Sequence, residues 1–399
     1  MAPRQHRSRR NGRGRPAARG RVALVCAGGG VTGALYEIGA LRALEDLLDV
    51  RPQELDLYVG VSGGAFVTSL LAHGISPGEI YSAATSRNSG GFGAPPLFRL
   101  GLGDVISRVA RAPRLLGDAL RRALRDAEGE IGSLAPSVLD LLPAGLLDNS
   151  GIRDYLAALF RSRGFRDRFD DLSRELFVVA VDLDSGRETV FGEKGQRSLP
   201  ISLAVQASTA LPGLYRPVRI DGRDYVDGGV KKTAHINRAI AHGADLVVCI
   251  NPLVPILNEP RTGPLGGHLS ERGLTDVLDQ TMRIMLHGRM QYGMERYALE
   301  HPEVDIVLLE PQRSDMKMFR YNIMHTGARR TVAEYGYRST IAQIAAREAS
   351  LRRILRRHGI ALGRLGGLPR SPATRAGRSS VGRALGASLD ALDSKLRRG

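Results

Sequence analysis

The stretch that most restricts this chain runs from Leu57 to Gly64, Leu-Tyr-Val-Gly-Val-Ser-Gly-Gly. Its apolar start reads as a buried strand, and Gly60-Val61-Ser62-Gly63-Gly64 fits G-x-S-x-G. That pattern is a sharp strand-to-helix turn, in which glycines around the serine let the backbone double back and leave the hydroxyl at the tip. Ala65 to Ala72 is suited to a helix beginning at once, so its free amides and positive end would lie beside Ser62. A glycine-rich turn without chemistry is the alternative, and only the surrounding context separates the two.

Upstream, Val22 to Ala27 reads as a first buried strand. It runs into Gly28-Gly29-Gly30-Val31-Thr32-Gly33 and a helix through Ala34 to Leu44. Strand, glycine loop, helix and the Ser62 strand form a βαβ unit, which implies a parallel sheet. The loop matches G-x-G-x-x-G, but a dinucleotide site would need an acid ending the second strand, about 20 residues on. That strand ends in Val59-Gly60-Val61-Ser62, and Asp56 lies at its beginning. The other use of the loop is an oxyanion hole, since consecutive glycines let backbone N–H groups approach a substrate oxygen unobstructed. Two adjacent parallel strands would place this loop and the Ser62 turn at one sheet edge, where ligands of open α/β sheets bind.

A serine nucleophile needs a base. The downstream histidines lie in no matching motif. His235, close after Asp227, is the best of them, and it reads as a surface residue opening a helix. Asp227 is the stronger candidate, because Asp227-Gly228-Gly229 holds a carboxylate on a bare backbone at an expected strand end. Such a carboxylate can take a serine proton directly if its site is partly dry and its pKa is raised. A plain Asp-Gly turn remains the alternative.

Further strands are expected at Glu175–Asp182, Arg187–Phe191, Tyr225–Asp227, Asp245–Ile250 and Val304–Leu309, with a helix near Ile201–Ala207. From Ser76 to about Phe160 the pattern is mostly helical, with a break at Gly90 to Pro96. A basic amphipathic segment from Val105 to Leu124 suits either an anionic membrane or an ordinary solvated face. The net charge of +16 is concentrated in arginine-rich ends. Such ends attract anionic membranes or nucleic acid. Cys26 and Cys249 each sit in an apolar run, as buried thiols of a reducing compartment do. No apolar stretch approaches the roughly 20 residues of a membrane-spanning helix. Ser8-Arg9-Arg10 hints at an export signal, but the nearby apolar run is short and ends in glycines, which favours the cytoplasm.

Taken together, the glycine loop, the Ser62 elbow and Asp227-Gly228-Gly229, with Ala207-Ser208-Thr209-Ala210-Leu211-Pro212 ahead of the aspartate, resemble a patatin-like phospholipase domain over roughly Arg21 to Asn251. The resemblance implies a three-layer α/β/α sandwich with a mainly parallel central sheet, a helical insertion near 76–160 and a helical extension over 253–358. Residues 1–20 and 359–399 are then low-order basic arms. It implies a serine lipid acyl hydrolase acting on phospholipid or lysophospholipid esters, with Ser62 as nucleophile and Asp227 as base. Backbone amides of Gly28, Gly29 and Gly30 would form the oxyanion hole, with Gly33, Gly60, Gly63, Gly64, Gly228 and Gly229 as motif glycines. No cofactor or metal is called for, and an anionic membrane, in preference to nucleic acid, is the expected partner of a cytoplasmic, peripheral enzyme. A catalytically weak membrane-binding homologue is the rival. Two departures stand out: Thr32 replaces a usual Lys or Arg, and Lys231 to Asn237 replaces a usual Asn-x-Pro continuation.

Overall fold

The structure, a computed structural model, describes residues 20–85, 99–100, 144–262, 266–312, 326–366 and 368. The amphipathic segment 105–124, the break at 90–96, nearly all of the N-terminal basic arm and most of the C-terminal one lie outside them.

The chain opens with β1 (Val22–Cys26), α1 (Gly30–Leu47), β2 (Leu57–Val61), α2 (Gly63–Ala72) and α3 (Pro77–Thr85). Next come β3 (Arg99–Leu100), β4 (Gly145–Asp148), α4 (Ser150–Ser162), β5 (Glu175–Asp182), β6 (Glu188–Phe191) and α5 (Ile201–Ser208). Then follow β7 (Gly213–Tyr215), β8 (Val218–Ile220), β9 (Arg223–Asp227), α6 (Ile236–Ala241) and β10 (Leu246–Ile250). The described chain finishes with α7 (Leu274–Glu300), β11 (Asp305–Leu309), α8 (Thr326–Ala346) and α9 (Glu348–Arg357). Helix α1 starts at Gly30, earlier than the sequence pattern suggests, because Gly30 takes a left-handed φ of 58° and turns the chain straight into the helix.

Among the described residues the main sheet has eight strands, in the order β11-β10-β1-β2-β5-β9-β8 with β6 also paired to β5. From β11 to β5 every pairing is parallel, and β6, β8 and β9 join antiparallel. A small second sheet joins β3, β4 and β7. Strands β1, β2 and β10 are buried along their whole length, as parallel strands covered on both faces must be. Val22, Leu24 and Cys26 point to one core, packed with residues of α1 to α5, α8 and α9. Ala23, Val25 and Ala27 point to the other, covered by Ile236 and Ala239 of α6 and Met290 of α7. Helices on both faces of a mostly parallel sheet make this the expected α/β sandwich. No helix among the described residues is long and apolar enough to cross a membrane.

The described elements beyond residue 252 are built into this body. Strand β11 lengthens the sheet beside β10, and α8 lies along α1 at backbone contact. A Cβ added at Gly39 would sit 2.0 Å from the Ala333 carbonyl oxygen, and one at Gly336 would sit 2.3 Å from that of Tyr36. The Tyr337 hydroxyl adds a bond of 2.9 Å to Asp46. Overpacking a filled contact of this kind costs about 1–3 kcal/mol or more. Gly39→Val is therefore expected to lower the unfolding midpoint in urea with little change in its slope. An unchanged midpoint would show that α8 does not rest on α1.

Candidate active site

The elbow is a backbone feature before it is a chemical one. Strand β2 ends at Val61, and Ser62 then adopts φ 53° and ψ −125°, a left-handed conformation that non-glycine residues rarely hold. Helix α2 begins in the next residue, pressed against the end of β1. A side chain at Gly64 would meet the Cys26 and Ala27 carbonyl oxygens at 2.4 and 2.6 Å, so only glycine permits that start. The Ser62 N–H donates to the Ser208 hydroxyl at 2.9 Å. That hydroxyl in turn donates to the Val179 carbonyl at 2.6 Å.

Asp227 reaches Ser62 because β5 carries both. Val61 of β2 is in register with Val179, and Asp227 of β9 is in register with Ala180, the next residue of β5. The Ser62 hydroxyl donates to the Asp227 carboxylate. The Gly229 N–H donates to Asp227 Oδ1 at 2.7 Å, and the Asp227 N–H donates to the Ala210 carbonyl at 3.0 Å. Burial pushes Asp227 up to about 6, against the opposing pull of the Ser62 hydroxyl and the Gly229 amide. Its surroundings thus raise its proton affinity while leaving it mostly ionised at neutral pH, as a proton acceptor requires.

The glycine loop lies against the elbow, with a Cβ built on Gly28 falling 3.5 Å from that of Ser62. Its amides are not equivalent. The Gly28 N–H donates to the Thr233 carbonyl at 3.1 Å and is therefore already committed, which removes it from the expected donor set. Among the described residues no hydrogen bond engages the amides of Gly29, Gly30 and Gly63. The departure from Asn-x-Pro acquires a role here, because Thr233 holds the loop through its carbonyl and reaches the Leu286 carbonyl of α7 at 3.1 Å through its hydroxyl. Gly33, Gly60 and Gly228 are packing positions, each facing Pro252, Thr68 or the Val179 carbonyl at under 3 Å from an added Cβ.

His235 does open α6, but the expectation of a surface residue is corrected. It is fully buried beneath the Asp227 turn, where α6 packs on the second face of the sheet. Its Nε2 lies 3.4 Å from the Gly228 carbonyl, and Nδ1 lies 3.7 Å from the Glu188 carboxylate. Burial pushes its pKa down to about 4, only partly offset by Glu188, so it is neutral at physiological pH. None of its contacts is Ser62.

Above Ser62 and Asp227 opens a cavity of about 500 Å³. Its lining combines Gly28, Gly29, Gly30 and Thr32 with apolar walls from Phe66, Leu147, Ile152, Leu211, Leu253, Met282 and Leu286. Sequence reasoning missed most of these. They come from several separate elements and carry no local signature, and those on α7 lie in a region that has no motif. Among the described residues, Asp279 and Arg283, an ion pair at 2.7 Å, are the charged groups of the lining apart from Asp227. Among the described residues no group of three or more His, Cys, Asp and Glu side chains could hold a metal ion. A hydroxyl bonded to a raised-pKa carboxylate, beside free amides and under an apolar cavity, can attack the carbonyl of a bound acyl ester.

The family model described as patatin-like phospholipase matches residues 24–240. A "Probable lipid hydrolase 463L" of Invertebrate iridescent virus 6 is 22% identical over 219 residues, 55% of this chain and 63% of the viral protein. The chain thus spans less than two thirds of that relative. "Uncharacterized protein YjjU" of Escherichia coli (strain K12) is 25% identical over 298 residues, 74% of this chain and 69% of its own length. The crystal structure of VipD from Legionella pneumophila aligns at a TM-score of 0.36 with 16% identity, covering 82% of this chain and 67% of that one.

The raised pKa of Asp227 makes a stability prediction with a definite sign. A carboxyl whose folded value lies above its ordinary 3.8 stabilises the fold most below about pH 4, and that contribution is lost as pH rises through about 6. Asp227→Asn carries no charge at any pH and escapes this loss. Relative to wild type it should gain on the order of 2–3 kcal/mol between pH 4 and pH 8. Urea unfolding of both proteins across that range measures the gap. A gap that stays flat would mean that Asp227 titrates as an ordinary exposed carboxylate.

Proposed function

Because the chain belongs to the patatin-like phospholipase family, we propose that it is a serine hydrolase of lipid acyl esters, phospholipids or lysophospholipids, working through Ser62 and Asp227. The observation that carries this reading is the bond from the Ser62 hydroxyl to a buried, raised-pKa carboxylate at the floor of an apolar cavity. The likeness to a probable lipid hydrolase supports the same class.

In the acylation step the Ser62 Oγ attacks the ester carbonyl carbon while its proton passes to Asp227. The carbonyl oxygen becomes an oxyanion, and the amides of Gly29, Gly30 and Gly63 are the donors free to receive it. Collapse breaks the acyl carbon–oxygen bond, and Asp227 returns its proton to the leaving alcohol. Water then attacks the acyl-enzyme with Asp227 again taking a proton, and the fatty acid leaves as Ser62 regains its hydrogen. Two protonation states of one carboxyl thus serve both half-reactions, and a pKa near 6 lets each be populated. The apolar walls take the acyl chain. Long-chain lipids reside in bilayers, so the working partner is a membrane surface, and the arginine-rich ends suit an anionic cytoplasmic leaflet.

A fluorophosphonate probe and a short soluble ester test the assignment. Wild type should be labelled at Ser62, while Ser62→Ala and Asp227→Asn should each lose hydrolysis by at least about a thousandfold. The double variant should be no worse than either single one, since residues acting as a unit are not additive. Near-wild-type turnover by Asp227→Asn would refute the role of Asp227 as the base.

A further inference from the structure

We propose that Ser208 is a positioning residue that clamps the Ser62 elbow in its attacking conformation. The proposal rests on the reading of Ser62 as the nucleophile. It starts from the ladder between β2 and β5, which runs in register from Leu57 and Glu175 to Val61 and Val179. One residue further the chain leaves strand geometry, because Ser62 turns to φ 53°. The Ser208 hydroxyl fills that break. It accepts the Ser62 N–H at 2.9 Å and donates to the Val179 carbonyl at 2.6 Å. The direction is fixed, because an amide can only donate and a carbonyl can only accept. Ser208 thus prolongs the ladder by one hydroxyl around the turn.

A strained conformation persists only where its surroundings over-determine it. On the carbonyl side, the Ser62 oxygen is held by the Ala65 N–H at 3.0 Å, in the first turn of α2. On the amide side, Ser208 is the partner, and at 0% exposure it leaves no route for water to substitute. Two residues on, the Ala210 carbonyl accepts the Asp227 N–H at 3.0 Å. Residues 208 to 210 therefore grip the backbones of nucleophile and base together. The grip is itself anchored, because Asn149 Nδ2 donates to the Gln206 carbonyl at 2.8 Å and to Thr209 Oγ1 at 3.0 Å. Ser208 is absent from the cavity lining, so its effect passes through Ser62 and not through substrate. The expected signature is a fall in kcat with KM held, since a small misplacement of reacting groups can cost about a hundredfold in rate.

The test uses the full chain with Ser208→Ala and a short soluble ester. The expected result is a kcat about 10- to 100-fold below wild type, KM within about twofold, and a parallel drop in the rate of fluorophosphonate labelling. Ser208→Thr keeps the hydroxyl and should recover most of the lost kcat. Tyr58→Phe is the control, since it removes a buried hydroxyl bond of 2.9 Å to the Pro52 carbonyl from the same strand. It should lower stability and leave kcat unchanged. Should the alanine variant not fold, Ser208→Cys, a weaker donor and acceptor of similar size, is judged by the same readouts. Wild-type kcat in Ser208→Ala or, in its place, Ser208→Cys, or a Tyr58→Phe loss as large, overturns the proposal. Hydrogen exchange separates this failure from failure of the Ser62 assignment. The peptide holding the Ser62 amide should exchange faster in Ser208→Ala than in wild type whether or not Ser62 is labelled, and equal exchange also overturns the clamp.

Discussion

The structure depends on the register of three neighbouring parallel strands, β1, β2 and β5. Cys26 of β1 is in register with Gly60 of β2, and Gly60 with Val178 of β5. Strands β1 and β2 therefore end within one residue of each other while β5 runs on to Asp182, and the glycine loop and the serine elbow leave the sheet side by side. An antiparallel strand, β9, then brings Asp227 up to the residue of β5 that follows the partner of Val61. Backbone hydrogen bonds thus set the distance between hydroxyl and carboxylate, and side-chain choice has only to fill the two places. That is why groups 165 residues apart in the chain can meet with so little side-chain machinery between them.

Burial is the second constraint. Asp227 is 2% exposed, and the withdrawal of water raises its pKa. The same physics acts in the opposite sense on His235, whose cationic form burial disfavours. A base acting on serine must be unprotonated yet willing to accept a proton. The buried carboxyl is brought toward that balance, whereas the buried imidazole is carried away from it and faces Gly228 and Glu188. One layer of protein around a single glycine turn therefore distinguishes the two candidate bases.

Much of this was legible in the sequence for local reasons. The elbow and the Asp227 turn announce themselves because glycine is demanded wherever backbone approaches backbone, as at Gly64 against Cys26 and Ala27. The buried strands were legible because a parallel sheet covered on both faces must be apolar throughout. What could not be read depends on contacts between distant residues. No pattern shows that the Gly28 amide is taken by Thr233, that Ser208 meets Ser62, or that α7 walls the cavity. His235 was misjudged for the same reason, since its burial is decided by the packing of α6 on the sheet and not by its neighbours in sequence.

The central claim is that Ser62 carries the acyl group covalently between two steps sharing one carboxyl. Rapid quenching of the reaction with a short activated ester, followed by intact-mass and peptide mass spectrometry, tests it directly. The account predicts a burst of released alcohol approaching one equivalent of enzyme and an acyl adduct on the peptide containing Ser62. Turnover of the ester without any burst or adduct, or an adduct on another residue, would contradict it.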